Sequence, residues 1–154
     1  MSLCVQDVMV RKVLTVDSDI SAKNAARMMS KFSVSSLIVS SNGEIIGILT
    51  ERDILARVVA SGQDPEKVTV KEVMSEPIIV VNPETPLEDA VKLMFRERIK
   101  KLPVMQREGD VVRLVGMLTI TDVARIQPQL IENMRSLIQK NGTDFEVEVD
   151  FYIR

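Results

Sequence analysis

The chain repeats itself. Shifted by 65 positions, residues 5–39 fall on residues 70–104 without a gap. Eight of those 35 positions are identical: Val5, Val8, Met9, Val16, Ala25, Met29, Leu37 and Val39 match Val70, Val73, Met74, Val81, Ala90, Met94, Leu102 and Val104. Many others exchange one apolar residue for another, such as Val13 for Ile78 and Val34 for Ile99. Four extra residues then enter the second copy. From there the offset is 69, and GILTERD at 47–53 meets GMLTITD at 116–122. A period of this size means one supersecondary unit built twice. The insertion falls at Ser41-Asn42-Gly43 in one copy and Arg107-Glu108-Gly109-Asp110 in the other, turn sequences where added length costs little.

Both copies predict the same elements. Residues 5–9 and 70–74 read as short amphipathic turns, and the β-branched runs 12–16 and 78–81 as strands. After a loop comes a helix, with Ala25, Met28 and Met29, or Ala90, Leu93 and Met94, on one face. In the second copy Thr85-Pro86-Leu87-Glu88 reads as a capping box with proline at the first helical position. Apolar strands follow at 36–40 and 102–105, then at 44–49 and 114–118, and a last helix begins at Thr50 or Thr119. Ser61-Gly62 stops that helix in the first copy.

The expected fold is therefore α+β, a strand–helix–strand–strand–helix unit made twice and related by a pseudo-twofold axis. The divisions expected are 1–62 for the first repeat, 63–69 for a linker, 70–127 for the second repeat and 128–154 for a helix-strand extension. About 60 residues is marginal alone; two copies sharing a core suffice. Such a pair creates two equivalent clefts.

Composition narrows the function. The chain has 154 residues, 45% hydrophobic and 27% charged, which suits a folded protein. It has no histidine, so serine–histidine, cysteine–histidine and histidine-metal chemistries are excluded. The single cysteine, Cys4, permits no internal disulfide and fits a reducing, cytoplasmic setting. No apolar run approaches the roughly 20 residues of a membrane span, and no signal-peptide pattern is present. A net charge of −2 with interspersed signs makes nucleic acid an unexpected partner. Neither a Gly-x-x-x-x-Gly-Lys phosphate loop nor a Gly-x-Gly-x-x-Gly fingerprint occurs, so no catalytic residue, catalytic cofactor or metal site is expected.

The motif Gly-x-Leu-Thr-x-x-Asp has two readings. Thr50 or Thr119 can cap a helix, with Asp53 or Asp122 favouring its dipole and the glycine allowing a close approach within the strand. The same geometry can seat a nucleotide. Unpaired N–H groups at a helix start attract phosphate, a carboxylate accepts from both hydroxyls of a ribose, and the glycine admits a ligand to the backbone. Duplication in register favours a nucleotide, and capping does not exclude it.

Taken together, these motifs resemble a tandem pair of CBS domains, a Bateman module. The resemblance covers residues 5–126. It rests on Val-x-Asp/Glu-Val-Met opening each copy, Ser-Ser-Leu-Ile-Val and Lys-Lys-Leu-Pro-Val in the middle, and GILTERD and GMLTITD at the end. It implies a non-catalytic regulatory module. Such modules bind an adenosine-containing ligand (AMP, ADP, ATP or S-adenosylmethionine) in clefts between the repeats, signal to a partner protein, and commonly pair as a homodimer. Enzymes such as inosine monophosphate dehydrogenase carry the module, but their catalytic barrel is absent here.

Carried over by position, one site takes Asp122, Thr119 and Thr121 with Val34, Ser35, Ser36 and backbone near Leu14, adenine resting between Val34 and Leu14. The other takes Asp53, Thr50 and Arg52 with Ile99, Lys100, Lys101 and backbone near Ile79. Arg52 and the two lysines predict a preference for more phosphate there, since Thr121 and Ser35 are neutral at the matching positions. Lys100-Lys101 reads equally well as a solvated strand end. The competing reading of the whole is a structural or protein-interaction module without a ligand.

The resemblance does not reach the tail. Residues 129–140 read as a helix with Leu130, Met134, Leu137 and Ile138 on one face, stopped by Asn141-Gly142. Residues 145–154 alternate as a strand, which either finishes the core or offers a docking edge.

Overall fold

The structure is a computed structural model that describes residues 2–143, Val147 and the backbone of Phe151–Ile153. It is α+β and divides into two compact units, one built on Val13–Ile78 and the other on Met1–Lys12 with Ile79–Phe151.

The first unit contains β1 (Thr15–Asp17), α1 (Ala22–Phe32), β2 (Ser36–Ser41), β3 (Glu44–Thr50), α2 (Glu51–Ile54) and α3 (Val70–Val73). A π-helical turn, Leu55–Val59, continues α2. Its sheet has the order β1-β2-β3, with β1 parallel and β3 antiparallel to β2. Ser21 caps α1 by accepting from the amide of Asn24, and Ser33 ends it in the left-handed region, φ 54°.

The second unit begins with a 3-10 turn, Val5–Asp7. Then come β4 (Ile78–Val80), α4 (Leu87–Glu97), β5 (Lys101–Glu108), β6 (Val111–Thr119), α5 (Ile120–Ile126) and α6 (Pro128–Asn141). The chain also has a strand β7 (Phe151–Ile153), which forms a two-stranded sheet with β4 and is not assigned to one unit. Pro86 itself occupies the cap position of α4, and no side chain caps that helix; the expected capping box is absent and proline stands one place earlier than predicted. The first helical amide instead donates from Leu87 to the carbonyl of Leu3 at 3.0 Å. A main-chain acceptor supplied by the opening segment removes the need for a side-chain cap.

That use of Leu3 reflects how each unit is completed. The opening turn of the first repeat, with Val5 and Val8, is buried in the same cluster as Ala90, Leu93, Leu102 and Leu118. The opening turn of the second, with Val70, Val73 and Met74, is buried with Ala25, Leu37 and Leu49. Each unit therefore holds the opening segment of the other repeat.

The motif glycines make room for these segments. A Cβ on Gly47 would lie 2.6 Å from the Met74 sulfur and 2.9 Å from the Ser75 carbonyl oxygen. On Gly116 it would lie 2.7 Å from the Met9 sulfur and 2.9 Å from the Val10 carbonyl oxygen. The backbones pair there: Ser75 with Ile48 at 2.8 and 3.2 Å, and Val10 with Met117 at 2.9 and 2.8 Å. Protein, not an open approach for a ligand, fills the space beside each glycine.

The four inserted residues lengthen strands rather than a turn. The β5–β6 hairpin has strands of eight and nine residues, against six and seven for β2–β3. Both hairpins carry an irregularity at the same place, after Val39 and after Val104.

Candidate functional site

In the first unit, one end of the sheet gathers Leu14, Val34, Ser35, Ser36, Thr50, Arg52 and Asp53. The Leu14 carbonyl accepts from the amide of Ile38 at 3.0 Å, tying β1 to β2. Ser36 pairs with Thr50 across β2 and β3, and the Ser35 carbonyl accepts from Glu51 at 3.0 Å. The second unit builds the same end from Ile79, Ile99, Lys100, Lys101, Thr119, Thr121 and Asp122. Lys101 pairs with Thr119, and the Lys100 carbonyl accepts from Ile120 at 2.9 Å. Arg52, Lys100 and Thr121 are exposed, while Val34, Ser35, Ser36, Ile79, Ile99 and Lys101 are half-buried. Within each unit these residues lie together, and the residues predicted for either site are divided between the two units.

The threonines cap their helices as the motif predicts. Thr50 Oγ1 accepts from the amide of Asp53 at 3.2 Å, and Thr119 Oγ1 accepts from the amide of Asp122 at 3.1 Å. The first-turn amides of Glu51, Asp53, Ile120 and Asp122 are therefore all engaged within the protein. The expected seat of unpaired amides for phosphate is reduced accordingly, and α2 and α5 are only four and seven residues long. What remains for a ligand is the pair of carboxylates and the side chains around them.

The two carboxylates are not alike. Asp53 is buried, 6% exposed. Its Oδ2 accepts from the Thr50 amide at 2.9 Å, closing a full capping box, and its Oδ1 accepts from the Ser75 hydroxyl at 2.9 Å. Arg57 stands 4.0 Å from Oδ1 and donates to the carbonyls of Val73 and Met74 at 3.0 and 2.5 Å. Asp122 is half-buried. Its Oδ2 accepts from the Thr119 hydroxyl at 2.7 Å, and its Oδ1 lies 3.5 Å from Arg125, a side chain 73% exposed. Neither Ser75 nor Arg57 was singled out from the sequence. Both were visible by position: Ser75 aligns with Val10 at the offset of 65, and Arg57 aligns with Ile126 at the offset of 69.

This duplicated sheet end, each with a capped Thr-x-x-Asp helix, matches a known family. The family model for the CBS domain matches twice, at residues 5–60 and 70–128. The chain belongs to the CBS domain family and carries the domain as a tandem pair. It is 36% identical over 120 residues to the CBS domain-containing protein YhcV of Bacillus subtilis, covering 78% of this chain and 82% of that one. A CBS domain pair solved in complex with 5'-methylthioadenosine and S-adenosyl-L-methionine superposes with a TM-score of 0.73 at 27% identity, over 84% of this chain and 98% of that one. The hexameric CBS-CP12 protein of bloom-forming cyanobacteria superposes equally well, TM-score 0.73 at 28% identity, over 92% and 91%. Among the described residues no helix is long and apolar enough to cross a membrane.

Proposed function

We propose that this chain is a non-catalytic sensor that binds an adenosine-containing ligand and passes the bound state to a partner protein. The observation that carries the reading is the duplicated carboxylate at a sheet end, Asp53 and Asp122, in a fold whose solved neighbour holds 5'-methylthioadenosine and S-adenosyl-L-methionine. A carboxylate suits a ribose because it accepts from two hydroxyls at once. One site takes Asp122, Thr119 and Thr121 with Leu14, Val34, Ser35 and Ser36, as the resemblance to ligand-binding CBS pairs implies. The other takes Asp53, Thr50 and Arg52 with Ile79, Ile99, Lys100 and Lys101, and its basic residues suit a ligand richer in phosphate. Binding biases the arrangement of the repeats or of paired chains, and a partner reads that bias. The working form is a homodimer in the cytoplasm, a reducing compartment that suits the free thiol of Cys4.

A second reading has one observation in its favour. Both oxygens of Asp53 already have partners inside the protein, as a purely structural cap requires. Thermal unfolding against AMP, ATP and S-adenosyl-L-methionine, with GTP as control, separates the two readings. A ligand at 100 times its dissociation constant adds about 2.7 kcal/mol, a rise of roughly 5–10 °C for a chain of this size. No rise with any adenosine compound leaves the structural module standing.

A further inference from the structure

The two copies of the motif differ in the groups around the carboxylate, and one difference is a hydroxyl at position 75. Ser75 and Val10 occupy matching positions, and their backbones are held in the same way. Ser75 is bridged to Ile48 beside Gly47, and Val10 to Met117 beside Gly116. Only the side chains differ. Ser75 donates its hydroxyl to Asp53 Oδ1 at 2.9 Å, whereas valine has no donor to give. Arg57 adds to the difference. It holds the carbonyls of Val73 and Met74, the two residues before Ser75, while its counterpart Ile126 is an exposed apolar side chain.

Resting on the adenosine-sensor reading, we propose that the Ser75 hydroxyl is an internal stand-in for a ligand hydroxyl. It keeps the Asp53 carboxylate occupied, so that ligand fills the Asp122 site first. A ribose reaching Asp53 has to take the place of an existing charge-assisted hydrogen bond on a side chain that is 6% exposed. A ribose reaching Asp122 meets an Oδ2 held by the Thr119 hydroxyl and an Oδ1 whose neighbour is an arginine side chain 73% exposed. An exposed ion pair of that kind is worth little and is displaced at small cost. The duplicated motif therefore yields two unequal sites, and Ser75 sets the order in which they fill. Release of Ser75 from Asp53 is then the event that a second ligand, or a ligand at high concentration, brings about.

Isothermal titration of the full chain with S-adenosyl-L-methionine, and separately with AMP, tests this in the wild type and in Asp122→Asn, Asp53→Asn and Ser75→Ala. The wild type should show one tight site per chain. Asp122→Asn should weaken it about tenfold or more, the loss expected for a charge-assisted hydrogen bond, and should weaken it more than Asp53→Asn does. Ser75→Ala, which keeps both carboxylates and removes only the donor, should bring a second site into the measured range at unchanged tight affinity. Loss of the tight site in Asp53→Asn but not in Asp122→Asn would overturn the order while leaving the nucleotide reading intact. So would an unchanged stoichiometry in Ser75→Ala. Absence of binding by the wild type with either probe at millimolar concentration removes both the sensor reading and this inference.

Discussion

In the second unit α6 packs against α4 and α5; in the first unit the face between α1 and α2 is an open groove. The surfaces beneath are built from matching positions. In the first unit a groove between α1 and α2 is lined by Ala26, Met29, Ser30, Glu51 and Ile54. The counterparts in the second unit are Val91, Met94, Phe95, Ile120 and Val123. All five belong to or pack against the second core, with Ile131 and Met134 of α6 buried in the same cluster. Three of the changes, Ala26 to Val91, Ser30 to Phe95 and Glu51 to Ile120, replace a small or polar group with a large apolar one. A repeat leaves its helix face small and polar where water covers it, and makes it apolar where the chain supplies a cover. The scaffold is common; the finishing differs.

The largest test of that difference is Met134→Ala. Its side chain is 4% exposed, and its loss should cost about 2–5 kcal/mol in urea unfolding. Ile54→Ala, on the uncovered face, should cost clearly less. Equal losses would mean that the first face is covered in solution too.

A second pair of variants sharpens what the units share. Gly47→Ala and Gly116→Ala each force a methyl group against a methionine sulfur and, less forgivingly, a backbone carbonyl. Each should destabilise by about 1–3 kcal/mol, with similar values in the two units because the geometry is the same. A neutral result at either position would show that its opening segment sits less tightly than the other.

The smallest effect is on acid stability. Hydrogen bonds from the backbone and side chain of Cys4 hold the Asp7 carboxyl below its ordinary range. A hydrogen bond from Lys23 does the same for Glu66 in the first unit. A carboxyl depressed in the folded state contributes stability above its unfolded pKa, and this is lost as pH falls through the folded value. Unfolding measured below about pH 4 should therefore show a falling limb that Glu66→Gln makes shallower. Both groups are exposed, so the change should be slight. A limb unaltered by Glu66→Gln would leave Asp7, in the second unit, as the larger contributor of the two.

How legible the chain was depends on the range of each interaction. The capped helices at Thr50 and Thr119 could be read because Thr and Asp are three residues apart, and a helix start brings such neighbours together wherever it occurs. The order of strands and helices followed from apolar periodicity in the same local way. The tail helix was legible too: α6 runs Pro128–Asn141 and turns Leu130, Met134, Leu137 and Ile138 toward the second core, as its spacing predicts. Val147 joins that core, with its carbonyl accepting from Arg96 at 3.2 Å; most of the expected strand 145–154 lies outside the described residues. The capping box at Thr85 was misread because the competing acceptor, the Leu3 carbonyl, is 84 positions away from Leu87.

By itself, then, the sequence determined the doubled unit, its elements, the threonine caps and the family to which the chain belongs. Only the tertiary structure decided that each opening segment completes the unit of the other repeat, and that the motif glycines make room for it. It alone placed the Ser75 hydroxyl on Asp53, a contact spanning 22 positions. The physical reason is directional. Local periodicity says which face of an element is buried, but a hydrogen bond between distant residues exists only once two backbones have been brought side by side. At residues 10 and 75 the backbones arrive in the same place, and a single hydroxyl makes the outcome different.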